Sequence, residues 1–97
     1  MSEIRFSKRF SHAVERIFEF LAEKDPGQAA VHVNVIVDGV GILARHPLIG
    51  RRTDERLREL VIGKGARCYV VLYVYDVAAD RVTLLTVRHA SQAGYRA

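Results

Sequence analysis

From Phe10 onward, apolar residues fall at Phe10, Ala13, Val14, Ile17, Phe18 and Leu21. Steps of three and four place them on one stripe of an α-helix. Glu15, Arg16, Glu19, Glu23 and Lys24 occupy the other side, and Phe20 lies off the stripe, suited to packing against a neighbour. Residues 2–6 read as a short strand, and Ser7 suits the helix N-cap, where a hydroxyl accepts a free backbone N–H. Asp25-Pro26 marks a break: Asp25 can cap a second helix, Pro26 fits its first position, and Gln28 has capping-box spacing. That helix is predicted to end near Arg45-His46, where cations favour a helix terminus, before Pro47 stops it. Its stripe is Val33, Ile36, Val37, Val40 and Leu43. The run VHVNVIV at 31–37 also alternates like a strand. The cap signal and a span of about 20 residues, against a usual strand of ~5–6, favour helix.

Residues 47–56 lack a period and read as a loop. Leu57 to Ile62 is predicted as a strand, Gly63-Lys64-Gly65 as a turn, and the β-rich run 67–77 as a long strand. A second turn at Ala78-Ala79-Asp80 precedes the last strand, 81–88. Short connections make these strands antiparallel neighbours. The expectation is an α+β domain, with an N-terminal helical hairpin on a small twisted antiparallel sheet.

The 97 residues suit one domain, taken as 1–97, and an apolar share of 49% is enough for a core. The lone Cys68 excludes an internal disulfide, and no Cys/His spacing fits zinc, so neither metal nor cofactor is expected. The N-terminus lacks a signal-peptide pattern, and no stretch is expected to span a bilayer. A soluble cytoplasmic protein is the expectation. The net charge of +4 is uneven: residues 1–50 carry six basic and six acidic residues, and residues 51–97 nine against five. A basic second half favours an acidic partner or nucleic acid.

Several stretches carry a family resemblance. IRFSKRF followed by a helix that ends at a proline, HPLIGRR, LRELVIGKGARCYVVLYVYD and VTLLTVRHASQAGY resemble, in order and spacing, toxins of the RelE/ParE superfamily. The resemblance covers residues 4–95. It implies two helices against a twisted antiparallel sheet. It further implies a growth-arresting toxin held by an antitoxin whose acidic, flexible C-terminal segment wraps the toxin and whose N-terminal part binds operator DNA, so that the toxin meets that DNA only through the antitoxin.

The superfamily holds two chemistries, gyrase poisoning in ParE-like members and ribosome-dependent mRNA cleavage in RelE-like ones. Cleavage needs a base, an acid and cations at the phosphate. Arg58, Arg88, His89 and Tyr95 are the candidates for it. Against it, Glu59-Leu60-Val61-Ile62 holds no basic residue, Tyr69 is followed by Val70 rather than arginine, and residues 69–75 are uncharged. These departures favour the gyrase branch, with no catalytic residue, DNA gyrase as target and Arg51, Arg52, Arg58 and Arg67 as target or antitoxin contacts. The ribosome with its mRNA is the alternative.

Plainer roles compete at each position. Arg58 can pair with Asp54 or Glu55 at the surface, and exposed pairs contribute little. His89 can close a strand end. His12 and His32 are expected on helix surfaces and His46 at a helix end. Cys68 reads as a small buried hydrophobe, and Tyr69, Tyr73 and Tyr75 as packing with hydroxyls at the rim.

Overall fold

The computed structural model describes residues 1–95. Strand β1 (Glu3–Phe6) leads into helix α1 (Lys8–Lys24), then α2 (Pro26–Val40) and a 3-10 turn at Gly41–Ala44. Strands β2 (Arg51–Arg52), β3 (Leu57–Ile62), β4 (Tyr69–Asp76) and β5 (Arg81–His89) follow. The sheet order is β1-β5-β4-β3-β2. Strands β3 to β5 are antiparallel as expected and β2 joins them antiparallel, but β1 adds a parallel edge on β5, so the sheet is mixed. Between β1 and β5 the chain passes through both helices and strands β2 to β4, and a parallel pairing needs a long connection of this kind.

Ser7 caps α1, its Oγ accepting from Phe10 N–H at 3.1 Å. The capping box at Asp25 does not form. Asp25 N–H is spent closing α1 on Leu21 O, its side chain makes no cap bond, and Gln28 Oε1 instead accepts from Arg67 at 2.8 Å. The two-residue strand β2 lies inside the stretch expected to be loop. Pro26–Ala44 is, by length and composition, long and apolar enough to cross a membrane, with mean hydropathy 1.4, against the sequence expectation. In this fold Ala29, His32, Ile36, Val40 and Leu43 along it are buried, while Val37 and Ile42 are each 42% exposed.

Both helices lie on one face of the sheet. The core between them holds Phe10, Ile36, Val40, Leu43, Val71, Tyr73, Val82 and Leu84. Pairing slips by one residue between Leu72 and Tyr73, leaving Leu85 as an extra residue of β5. This bulge lets Val82, Leu84, Val87 and His89 all share the helix-facing side despite their uneven spacing.

Candidate functional site

The register sorts the polar residues onto two faces. On the face away from the helices, Glu59 of β3 pairs with Leu72, which pairs with Thr86, and Val70 pairs with Arg88. Residues after β5 fold back across it. The Tyr95 hydroxyl donates to Glu59 Oε2 at 2.6 Å, and Arg88 lies 5.2 Å from the Tyr95 ring centroid. Arg88 Nη1 also donates to the carbonyls of His89, Ala90 and Gln92, which laces the turn that carries Tyr95. Arg51 donates to the other Glu59 oxygen at 2.9 Å. The Tyr95 hydrogen bond holds the Glu59 carboxyl below its usual range, with Arg51 assisting and burial opposing. Burial, then the Glu59 carboxylate, pushes the Tyr95 phenol up, so it stays protonated. The cluster is therefore a carboxylate, a phenol and two guanidinium groups. Glu59 was not a sequence candidate. Its position one residue after Arg58 on a strand, and so on the opposite face, was the available signal.

The other candidates lie on the helix-facing side. Arg58 is not paired with Asp54 or Glu55; its Nη1 donates to Leu48 O at 3.0 Å and Gly50 O at 2.8 Å. Tyr73, fully buried, joins the same latch. Its hydroxyl accepts from Gly50 N–H and donates to Pro47 O, both at 2.9 Å. His89 Nδ1 lies 3.0 Å from Ser91 N and its Nε2 lies 2.9 Å from Ala66 O, so both ring nitrogens meet backbone groups. The quartet thus divides: Arg88 and Tyr95 meet on the open face, whereas Arg58 and His89 do not join them. Of the contact candidates, Arg51 and Arg52 are exposed on β2, and Arg67 is bound to Gln28.

His32 is buried at 7% exposure, not on a helix surface. Its Nδ1 lies 2.7 Å from the Tyr69 hydroxyl, and the Tyr69 ring stacks edge-on against both His32 and His89. The Tyr69 and Tyr73 hydroxyls are therefore internal rather than at the rim. These rings floor a groove of about 1020 Å³ walled by Ile17, Phe20 and Leu21 of α1, with Arg16, Lys64, Arg67 and Asp25 around it. Phe20 is 59% exposed there, with Lys24 Nζ 5.4 Å from its ring centroid.

Burial first, then the charges of Arg67 and His89, pushes the His32 pKa down. Its neutral form stabilises the fold fully above the unfolded imidazole value of about 6.5 and loses that contribution as pH falls towards the lower folded value. Unfolding midpoints measured from about pH 7.5 to 5 should fall for the wild type. His32→Gln, which retains a partner for Tyr69, should flatten that slope; an unchanged slope would assign it to other groups.

A helical hairpin on one face of a small mixed sheet, with the C-terminal turn laced over the other, defines an α+β fold shared with small bacterial toxins. The family model "ParE toxin of type II toxin-antitoxin system, parDE" matches residues 4–94. The chain belongs to this family, within the RelE/ParE superfamily. It is 28% identical over 90 residues to "Toxin RelE3" of Caulobacter vibrioides, covering 93% of this chain and 96% of that one. Its fold is similar to a chain of the chromosomal ParDE system of P. aeruginosa, with TM-score 0.77, 15% identity and 92% and 96% coverage. It also resembles a chain of the RelBE2 toxin–antitoxin complex of Mycobacterium tuberculosis, with TM-score 0.57, 23% identity and 91% and 96% coverage.

Proposed function

We propose that this toxin poisons DNA gyrase in the cytoplasm, and that a cognate antitoxin neutralises it through an acidic C-terminal segment. One observation carries the choice of gyrase. The four residues that could make an RNA-cleaving set are split between opposite sheet faces, and Arg58 Nη1 and both ring nitrogens of His89 are engaged by backbone groups. General acid–base chemistry needs its groups within hydrogen-bond reach of one substrate. The match to the ParE model supports the same reading. The groove beside α1, apolar in its walls and bearing Arg16, Lys64 and Arg67, suits an acidic amphipathic segment that orders as it binds.

The test is a supercoiling reaction with purified toxin, gyrase, plasmid and ATP. The expected result is loss of supercoiling with accumulation of cleaved plasmid, reversed by antitoxin. Normal supercoiling in the presence of a folded, growth-arresting toxin would reject the gyrase reading.

A second reading, ribosome-dependent mRNA cleavage, draws on the open face, where Glu59, Tyr95 and Arg88 stand together. Tyr95→Phe decides between them. On the gyrase reading, growth arrest persists in this variant. Loss of arrest with the melting curve preserved, and loss of transcript cleavage on translating ribosomes, would favour the nuclease.

A further inference from the structure

Two of the large aliphatic side chains left outside the fold sit on a backbone pinned from beneath. Leu48 and Ile49 are 56% and 52% exposed. Around them the Tyr73 hydroxyl holds Pro47 O and Gly50 N, Arg58 holds Leu48 O and Gly50 O, and Ile49 N–H closes on His46 O at 3.1 Å. Gly50 is part of the latch, since a Cβ there would lie 2.5 Å from the Tyr73 hydroxyl and 2.8 Å from Glu59 O. A single exposed leucine is ordinary. A pair carried on a loop locked by these hydrogen bonds is different, because the ordering that binding normally costs is already in place. The flanking sequence is basic: residues 39–53 contain Arg45, Arg51 and Arg52 and no Asp or Glu, and of the three Arg51 is paired with Glu59.

We infer that the 47–50 loop is the toxin's grip on a folded protein target, Leu48 and Ile49 entering a preformed apolar pocket with an acidic rim. The inference rests on the reading above that the chain acts on a protein target, and it assigns the surface. Shape separates this occupant from the antitoxin. A preorganised loop gains most on a partner whose pocket is equally preformed, because neither side then has an ordering cost, whereas a segment that orders only on binding still carries one. The groove floored by Tyr69 is concave and suits such a segment; the loop is anchored by Tyr73, elsewhere on β4.

The test is the full chain carrying Leu48→Ser and Ile49→Ser, compared with wild type for melting, affinity for the cognate antitoxin, growth arrest without antitoxin, and gyrase cleavage. The expected result is an unchanged melting curve and antitoxin affinity within about twofold of wild type, with the induction needed for arrest raised by at least about tenfold. Arrest at the wild-type induction level would overturn the assignment. A loss of antitoxin affinity matching the loss of arrest would overturn it too, since the loop would then be the antitoxin's. Should the double variant unfold, Arg45→Glu with Arg52→Glu, both at exposed positions, gives the same readout, and unchanged arrest again overturns it. Growth arrest is scored whatever the target, so a wild-type toxin that leaves gyrase untouched rejects the gyrase reading without touching the loop.

Discussion

Tyr73→Ala should lower the unfolding free energy by about 4 kcal/mol, the usual cost of removing a fully buried aromatic side chain. Tyr73 has 0% exposure and packs among Phe10, Val40, Leu43 and Leu84 in the core. Tyr73→Phe keeps the ring and separates the hydroxyl's share. It strands the buried Gly50 N–H and removes the donor to Pro47 O, which should cost about 1–3 kcal/mol. The two should also differ in kind. The phenylalanine variant should retain a cooperative transition while its 47–50 loop exchanges amide hydrogens faster. Urea midpoints with a common slope, and hydrogen exchange at Gly50, measure both. If Tyr73→Phe were as stable as wild type with Gly50 equally protected, the latch would be ornamental and the loop's rigidity would need another source.

Gly63→Ala should destabilise by about 3 kcal/mol, and Gly65→Ala by only about 1–2. Both glycines have positive φ, +76° and +61°, where an L side chain is strained. They differ in what a Cβ would meet. At Gly63 it would collide with the carbonyl oxygen of Arg67 and approach Val35 Cγ1 at 3.1 Å; at Gly65 nothing lies within 4 Å. Backbone cannot rotate away as a side-chain tip can, so the Gly63 variant must shift the turn that carries Arg67 and Ala66 O, the partner of His89. Matched thermal or urea unfolding of the two variants checks the difference. Equal losses would mean that only φ matters and that the turn absorbs the collision freely.

The first helix and the strands β3 to β5 were legible from their own apolar patterning, whereas the second helix was read from its start signal and span and ends at Val40, earlier than Arg45-His46. The stripe from Phe10 to Leu21 and the alternation of VTLLTV need no tertiary information, and the extra apolar residue at Leu84-Leu85 already hints at the bulge. The parallel partner of β1 was not legible. A four-residue strand does not encode which distant strand it joins, and the packing of the helices and strands that lie between β1 and β5 fixes that only in three dimensions. Nor was the failed box at Asp25, since Arg67, 39 residues beyond Gln28, takes the side chain that the local rule assigns to the cap.

The candidate site shows the same division. Sequence alone determined which residue types were available, that the second half is basic, and that the chain resembles the RelE/ParE toxins, because composition and order are one-dimensional properties. Tertiary structure decided which residues meet. Strand alternation sends neighbours such as Arg58 and Glu59 to opposite faces, and Arg88 and His89 likewise, so proximity in sequence separated what a list of candidates had joined. It also decided that Tyr95 returns to Glu59, 36 residues earlier. The physical reason is that a carboxylate, a phenol or an aliphatic side chain acquires its role from burial and partners, and those are set by the packing of distant segments.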